Sequence, residues 1–404
     1  MACMSDHPAK ASTGLYLHIP FCQAKCNYCD FVSYAGLEHL HADYVRALID
    51  EITLCADAWA DARFETVFIG GGTPTVLPPS QLALLLAACR RSLRISEDAE
   101  VTIEANPGTV DYNDLVALRA AGINRISLGV QSLDDKELAL LGRIHDAQEA
   151  INAYRLARRA GFDNINLDLI FGLPNQTVKR WRETLKGALA LRPDHLSLYA
   201  LTVEENTPLA LSIAQGVLPE PDDDLAADMY ELAEEMLESA GYRHYEISNW
   251  ARRTSADTPT GFPSLACRHN LIYWHNGRYL GLGVAAHSYD GEQRIANLSD
   301  PVAYIAHMQA GELAIATSES LSLERRMGEM MMLGLRLIQG VSWRCFEERF
   351  GVSLQQVYAH EIDDLAEKGP VPGTDGLLIV DEQGIRLSKR GRLLGNRVFA
   401  AFVR

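Results

Sequence analysis

The sequence predicts an α/β fold: an open, partial barrel of six β-then-α units, followed by a mostly helical, winged-helix-like C-terminal module. Three observations favour this fold. Short apolar runs alternate with longer amphipathic stretches over the first 250 residues. The runs are rich in Ile, Val, Leu and Phe, which suits parallel strands covered on both faces. From about Leu321, helical patterns precede two short strand patterns. Six units fall short of the eight that close a barrel, and a flat doubly wound sheet is the alternative.

The elements of the barrel follow in order along the chain. Strands are predicted at Leu15–Ile19, Thr66–Gly70, Val101–Ala105, Arg125–Val130, Asn164–Phe171 and His195–Leu201. Helices are predicted at His41–Ala58, Ser80–Leu93, Asp111–Ala121, Ala147–Ala160 and Thr177–Leu191. Ser80 and Thr177 are expected to be helix N-caps, because a hydroxyl there accepts a hydrogen bond from the first turn.

The sequence divides into three regions: a barrel over 1–250, a connecting region over 251–320 and a C-terminal domain over 321–404. The last region is predicted to contain three helices, two strands and a final helix: Glu324–Leu337, Trp343–Phe350, Leu354–Lys368, Gly376–Val380, Gly384–Leu387 and a helix from Arg390. Winged helices often bind DNA. Basic and acidic residues are nearly balanced here, so a packing or lid role is predicted instead.

Composition narrows the class of protein. Apolar residues make up 48% and charged residues 22% of the chain, as in ordinary globular proteins. A net charge of −16 argues against non-specific binding to nucleic acid or anionic membranes. The N-terminal residues have no apolar signal region, and no run suffices to span a bilayer. A cytoplasmic location is therefore expected.

Three of the eight cysteines, Cys22, Cys26 and Cys29, have the spacing C-x3-C-x2-C. Three thiolates this close can hold three irons of a cubane cluster and leave the fourth iron open. A zinc site would need a fourth ligand, and no second cysteine pair is present. A disulfide is disfavoured in a reducing compartment, and buried spectator thiols remain a further alternative. Cluster ligation is the preferred interpretation.

Polar and glycine residues recur where the predicted strands end. They lie in the segments Gly70–Thr75, Glu104–Pro107, Gly129–Ser132 and Asn166–Pro174. The carboxyl ends of parallel strands meet on one face, where α/β barrels carry their active sites. The glycine-rich segment is not a Walker loop, since no Gly-Lys-Ser/Thr follows. The sequence therefore predicts one site on this face, next to the cysteines.

These motifs resemble a known family. The cysteine spacing, the aromatic residue before Cys29 and the glycine-rich strand end are similar to the radical S-adenosylmethionine (SAM) superfamily. The runs YLHIPFC, GGGTPT, EANPGT, GVQS and DLIFGLP resemble the oxygen-independent coproporphyrinogen III oxidase family over nearly the whole chain. The resemblance implies a [4Fe–4S] cluster on the three cysteines and SAM on the open iron, which receives an electron from the cluster.

The resemblance also implies roles for single residues. Tyr16 and Tyr28 would line the SAM pocket, Gly71, Gly72 and Thr73 would present backbone to the methionine end of SAM, and Glu104 would hydrogen-bond it. Gln131, Arg143 and Asp168 match positions that bind a second SAM. From the residues alone, Arg143 could instead pair with a surface carboxylate, and Asp168 could satisfy a buried backbone group.

Two departures from the oxidase pattern point to a sister branch, the haem chaperones (HemW). Phe31 stands where the oxidase has a further cysteine, and only 15 residues precede Tyr16. The signature H-N-x-x-Y-W of that branch occurs as His269 to Trp274. The resemblance then implies haem binding and delivery to a respiratory protein, without coproporphyrinogen decarboxylation. The oxidase itself is the alternative function, and a tRNA-modifying enzyme is disfavoured because no basic domain is evident.

Imidazole and thiolate are the usual axial ligands of haem iron. His269 is the predicted haem ligand, and Cys267, His275 and His287 are the other candidates. Tyr273 and Trp274 could stack on the macrocycle, although a structural His-Asn pair with two core aromatics is the alternative interpretation. A donor that reduces the cluster is an expected partner, and the formation of a homodimer is left open.

Overall fold

The computed structural model describes residues 12–367 and 376–403. The strands are β1 (Thr13–Ile19), β2 (Phe21–Cys22), β3 (Tyr34–Ala35), β4 (Phe64–Gly71), β5 (Ile95–Ala105), β6 (Arg125–Gln131), β7 (Asn164–Phe171), β8 (His195–Ala200), β9 (Tyr242–Glu246), β10 (Asn249–Arg252), β11 (Tyr279–Leu282), β12 (His287–Tyr289), β13 (Gln293–Asn297), β14 (Ile315–Ser320), β15 (Val341–Ser342), β16 (Leu378–Val380) and β17 (Gly384–Leu387).

The helices are α1 (His41–Cys55), α2 (Pro79–Ser92), α3 (Tyr112–Ala120), α4 (Asp135–Leu140), α5 (Ala147–Arg159), α6 (Val178–Leu191), α7 (Pro208–Ala214), α8 (Asp223–Ser239), α9 (Arg268–Trp274), α10 (Pro301–Gln309), α11 (Leu323–Gly334), α12 (Trp343–Phe350), α13 (Leu354–Glu367), α14 (Lys389–Leu393) and α15 (Gly395–Phe402). Lys368, predicted to end α13, lies outside the described residues. Among the described residues, no helix has the length and apolar character needed to cross a membrane.

Six parallel strands form the centre of the large sheet. They stand in the order β1-β4-β5-β6-β7-β8, and each neighbouring pair is parallel. The sheet does not close on itself, because its order begins with β14 and ends with β9. The predicted partial (β/α)6 barrel is confirmed. Alternate side chains of these strands face the helices, as Leu15 and Leu17 do, or the interior of the barrel, which we call the lumen.

The region between 251 and 320 adds four strands to the large sheet. Strand β11 pairs in parallel with β1 on the side opposite β4, and β12, β13 and β14 continue the sheet outward as antiparallel neighbours. At the other edge, β9 and β10 form a hairpin, and β10 pairs antiparallel with β8. The sheet therefore has twelve strands.

Helix starts follow local capping chemistry. Thr177 caps α6 through a hydrogen bond from Arg180 N to its hydroxyl, as predicted. Asp111 and Asp146 each form a capping box at the start of α3 and α5. The prediction for Ser80 was wrong, because α2 begins at Pro79, and proline is well suited to the first helical position.

The C-terminal module has its own apolar core, made by α11 to α15 with a small sheet in the order β15-β17-β16. It spans the open side of the large sheet. Arg294 on β13 donates two hydrogen bonds of 2.8 Å to the Glu329 carboxylate on α11. Just beyond the end of α11, Ile247 N donates to the Arg336 carbonyl at 3.0 Å, next to the β9–β10 hairpin. The module thus contacts both ends of the open sheet.

Candidate functional site

The three clustered cysteines lie on the loop that follows β1, which we call the cysteine loop (residues 22–33). Their side chains are half-buried. Cys22 Sγ accepts a hydrogen bond from the Thr73 hydroxyl at 3.6 Å, and Cys26 Sγ accepts one from Arg143 Nη1 at 3.2 Å. Such donors stabilise the negative charge of a thiolate that ligates metal, so two of the three sulfurs already have the outer contacts of ligands.

A single zinc ion and a cubane cluster make different demands on the three thiols. Among residues 12–367 and 376–403, no three His, Cys, Asp or Glu side chains form a group that could hold one metal ion. A zinc ion needs ligands that converge on one point. In a cubane cluster each thiolate binds a different iron. Cys22, Cys26 and Cys29 share one short loop, and the pKa of the Cys22 thiol is raised mainly by burial, with Cys29 and Cys26 adding to the rise.

His18 anchors the far end of the cysteine loop. Its Nδ1 accepts a hydrogen bond from the Tyr16 hydroxyl at 3.0 Å, and its Nε2 donates to the Val32 carbonyl at 2.9 Å. Burial lowers the pKa of His18 and keeps the ring neutral, as this pair of bonds requires. Sequence reasoning placed His18 in a strand and missed this contact. Its position two residues after Tyr16, on the same strand face, is the signal that could have found it.

The middle of the loop is fixed by Asn27. Its backbone N–H donates to the Leu141 carbonyl at 3.0 Å, and its side-chain amide donates to the Leu140 carbonyl at 2.9 Å. These contacts hold the end of α4 against the loop and bring Arg143 to Cys26. Tyr28 packs against the small apolar cluster of Leu141, Ile170 and Leu173, and burial raises its pKa, so its hydroxyl stays protonated.

The glycine-rich end of β4 lies against the loop with almost no spare room. A Cβ on Gly70 would lie 2.9 Å from Glu104 Oε2, and one on Gly72 would lie 2.6 Å from the Phe21 carbonyl and 2.9 Å from Cys22 Sγ. Gly71 has a φ of +118° and donates its N–H to Glu104 Oε2 at 3.1 Å. The glycines therefore allow the end of β4 to lie this close to Glu104, Phe21 and Cys22.

Glu104 is a carboxyl group in the lumen, and no cationic side chain of the described residues is bonded to it. Burial, and secondarily the Asp168 carboxyl, raises the pKa of Glu104 to about 8. The pKa of Tyr16 is also raised, mainly by burial and then by Glu104. A buried carboxyl in this state gains most from a ligand that donates hydrogen bonds or carries positive charge.

The three residues matched to a second SAM lie around Gly129 near the end of β6, with Asp168 on the neighbouring strand β7. Gln131 has a left-handed backbone with a φ of +66°, and its buried Oε1 has no hydrogen-bond partner among the described residues. A Cβ on Gly129 would lie 3.0 Å from Gln131 Nε2 and 3.3 Å from Arg143 Nη2, so these two side chains are neighbours. Asp168 lies deeper in the lumen, where Ser127 and Asn166 each donate to it at 2.8 Å. A strained Gln131 at the carboxyl end of β6, with no partner for its Oε1 among the described residues, fits a residue that binds a ligand.

Helix α9, which carries the H-N-x-x-Y-W signature, lies at the opposite end of the lumen from the cysteines. The Glu100 carboxylate accepts hydrogen bonds from the backbone N–H groups of Arg268 and His269, both at 3.1 Å. A Cβ on Gly14, near the start of β1, would lie 3.1 Å from the His269 ring. The helix therefore forms the floor of the barrel.

His269 is 1% exposed and both of its ring nitrogens have partners. Nδ1 lies 2.7 Å from Thr66 Oγ1, and Nε2 lies 2.9 Å from the Tyr273 hydroxyl. The ring stacks on Phe68 with a centroid distance of 5.1 Å. Burial, with Arg125 second, lowers the pKa of His269 to about 3, so the imidazole is neutral.

The other haem-ligand candidates differ in access. Cys267 is buried beside Glu100, and burial raises its pKa to about 12, which disfavours the thiolate. His275, at the end of α9, is neutral because burial and Arg349 lower its pKa to about 4. His287 on β12 is exposed, and its pKa is lowered by partial burial and by Arg294. Of the three candidate histidines, one is therefore accessible and two lie in or next to the floor.

The two aromatic residues of the signature have different surroundings. Tyr273 packs edge-on against His269 and against Tyr279, with centroid distances of 4.9 and 4.7 Å. The Arg336 guanidinium lies over the Trp274 ring at 4.5 Å, and the buried Trp274 Nε1 has no hydrogen-bond partner. In this structure both rings pack between α9 and neighbouring residues: Tyr273 against Tyr279 of β11, and Trp274 against Arg336 just beyond α11.

Comparisons with known proteins agree with this fold. Residues 16–188 match the radical SAM superfamily, and residues 321–394 match the HemN C-terminal domain. The chain is 37% identical over 389 residues to "Heme chaperone HemW" of Bacillus subtilis, covering 96% of this chain and 98% of that protein. It is 35% identical over 401 residues to the mitochondrial "Radical S-adenosyl methionine domain-containing protein 1" of Bos taurus, covering 96% and 86%.

A solved structure gives the same result for the fold. Coproporphyrinogen III oxidase (HemN) from Escherichia coli, described as a radical SAM enzyme, superposes with a TM-score of 0.82 at 27% identity, covering 97% of this chain and 90% of that one. The partial barrel with three cysteines on its carboxyl face thus defines a radical SAM protein. Within that superfamily, the chain belongs to the HemN-like family, in its HemW branch.

Proposed function

We propose that this chain is a haem chaperone that binds a [4Fe–4S] cluster, SAM and haem, and transfers the haem to a respiratory acceptor protein. The observation that carries the proposal is similarity over 96% of the chain to a protein named as a haem chaperone. When bound, the cluster supplies an electron to SAM. The proposal includes a cytoplasmic location and a partner that reduces the cluster.

The cysteine loop and its surroundings support the cluster and SAM. Cys22, Cys26 and Cys29 are the proposed cluster ligands. Gly71, Gly72 and Thr73 are the proposed contacts to the methionine end of SAM; in this structure their N–H groups donate to Glu104, the Ile19 carbonyl and the Phe21 carbonyl. Glu104 can accept hydrogen bonds from an amino group, and Gln131 Oε1 is unpartnered among the described residues. Tyr16 and Tyr28 place protonated hydroxyls near the same face. The residues present therefore fit both groups.

His269 is the proposed haem ligand, because neutral imidazole is the form that binds iron. In this structure its Nε2 contacts the Tyr273 hydroxyl and its ring is buried. Ligation through Nε2 therefore requires α9 to open from the floor and the Tyr273 hydroxyl to leave. His287, which is exposed, is the alternative ligand that needs no such movement.

A haem titration of four proteins separates these cases. We expect His269→Ala to weaken haem binding about tenfold or more and to change the Soret band, because it removes an iron ligand. Tyr273→Phe keeps the imidazole and frees Nε2, so its affinity should equal or exceed that of the wild type. His287→Ala should bind like the wild type. Unchanged binding by His269→Ala would remove this residue, and loss in His287→Ala would assign the ligand to β12.

Transfer needs its own assay. Haem-loaded protein would be mixed anaerobically with an apo b-type cytochrome of a respiratory complex, and with apomyoglobin as a passive acceptor. A chaperone should deliver haem to the cytochrome faster than haem dissociates, whereas passive release gives both acceptors the same rate. Equal rates would contradict the proposal.

The oxidase is the second candidate, favoured by the match to HemN along 97% of this chain. The reconstituted protein would be given coproporphyrinogen III, SAM and a reductant. Formation of protoporphyrinogen IX would establish the oxidase and overturn a chaperone-only function. We expect none.

A further inference from the structure

We infer that Asn106 is a positioning residue that connects two of the cysteine thiols through a chain of hydrogen bonds. The chain runs from Cys22 through Thr73, Asn106 and Arg143 to Cys26, and we call it the thiol bridge. The inference rests on the proposed cluster and names a residue to which the family resemblance assigns no role.

The side-chain amide of Asn106 contributes both a donor and an acceptor to the bridge. Its Nδ2 donates to Thr73 Oγ1 at 2.8 Å, and its Oδ1 accepts from Arg143 Nη2. Because the Thr73 oxygen accepts from the amide, its own proton is free to point to Cys22 Sγ. Asparagine presents both groups at once, and a side chain with only one of them cannot hold both neighbours.

The backbone of Asn106 is itself held in place. Its carbonyl accepts hydrogen bonds from the N–H and the hydroxyl of Thr109, at 3.1 and 2.7 Å. Pro107 follows, and a residue before proline is restricted to extended conformations. A Cβ on Gly129 would lie 2.8 Å from Asn106 Oδ1, so the neighbouring strand end leaves room for the amide and little else.

Arg143 depends on this amide for its direction. Its Nη2 is shared between Asn106 Oδ1 and the Gly129 carbonyl at 2.8 Å, while Nη1 reaches Cys26 Sγ. Without Asn106, one backbone carbonyl is left to orient a guanidinium on a long, flexible side chain. The removal of Asn106 should therefore weaken the donors to both thiols, although Asn106 touches neither sulfur.

Hydrogen bonds to cluster sulfurs stabilise the reduced, more negative cluster and so raise its reduction potential. We therefore expect Asn106→Ala to shift the midpoint potential of the reconstituted cluster to a more negative value and to change its electron paramagnetic resonance spectrum, with iron per chain maintained. Asn124→Ala is the matched control. Asn124 also donates and accepts one side-chain hydrogen bond, both at 2.8 Å, but with the backbone of Ala99 and Val101.

A positioning role is distinguished from a merely structural one by combining substitutions. Thr73→Val removes one arm of the bridge, so Asn106→Ala should shift the potential less in that background than in the wild type. If Asn106→Ala holds no cluster, Asn106→Ser is compared in the same way. Potentials equal to those of wild type and Asn124→Ala, or shifts that add in full with Thr73→Val, would overturn the inference. A wild-type protein without iron and sulfide would instead refute the proposed function.

Discussion

The neutral, buried His269 predicts how the stability of the protein depends on pH. An unfolded chain has an ordinary histidine pKa of 6.5, whereas the folded chain holds it at about 3. Between these values the unfolded state binds the additional proton. His269 therefore lowers the free energy of unfolding at low pH. This loss begins as the pH falls below 6.5 and reaches its full size below about pH 3.

The magnitude follows from the two pKa values. Each pH unit across this window costs about 1.4 kcal/mol for one proton. Between about pH 7.5 and about pH 5, proton uptake by His269 in the unfolded chain lowers the free energy of unfolding by about 2 kcal/mol. His145 and His275, whose pKa values burial lowers to about 4, act in the same direction.

The assay is urea unfolding of the metal-free protein across this pH range, followed by circular dichroism. His269→Asn keeps a polar group for Thr66 and removes the titrating ring. It should lose stability at every pH, but its loss between about pH 7.5 and about pH 5 should be about 2 kcal/mol smaller than that of the wild type. His39→Asn removes an exposed imidazole and is the control. Parallel pH curves for wild type and His269→Asn would refute the reasoning.

Three other predictions concern the site and the module. Gly72→Ala should reduce iron per reconstituted chain, because its Cβ would meet Phe21 O at 2.6 Å. Gly311→Ala, whose φ of +76° strains alanine but whose Cβ would meet no described atom within 4 Å, controls for a loss of stability alone and should keep its iron. SAM affinity, measured by calorimetry, should rise with pH up to about 8 as the Glu104 carboxyl ionises, and Glu104→Gln should flatten this rise. Arg294 and Glu329 form an ion pair with two hydrogen bonds. In a double-mutant cycle of thermal unfolding, Arg294→Ala and Glu329→Ala should show a coupling free energy of about 1–2 kcal/mol.

The parallel strands could be predicted because their physics is local. An apolar run such as β6 is buried along its whole length, and its composition alone indicates a strand covered on both faces. Strand β14 carries the opposite pattern. All six of its residues are exposed, so neither alternation nor an apolar run marks it, and only pairing with β13 makes it a strand. The extension of the sheet beyond β1 therefore escaped prediction.

The candidate site also has one part that the sequence could predict and one part that it could not. The cysteine motif and each strand-end motif can be recognised from a few adjacent residues, and their placement on one face follows from the order of the strands. The floor does not. His269 and Thr66 are 203 residues apart in the chain, and no pattern near either residue indicates that their side chains meet. Asn106 is intermediate: its motif was visible, but its role depends on Arg143, which α4 brings to the cysteine loop.

The two ends of the lumen are connected through Tyr16. Its ring stacks on Phe68 with a centroid distance of 6.2 Å, and Phe68 stacks on His269. Its hydroxyl donates to His18, which in turn holds the cysteine loop at Val32. A haem that draws His269 out of the floor would leave Phe68 without its stacking partner. The ring on the other side of Phe68 is Tyr16, which is hydrogen-bonded to the His18 that holds the cysteine loop. If His269 is the ligand, haem binding should therefore disturb a row of contacts that ends at the cysteine loop, whereas ligation by the exposed His287 should leave that row unchanged.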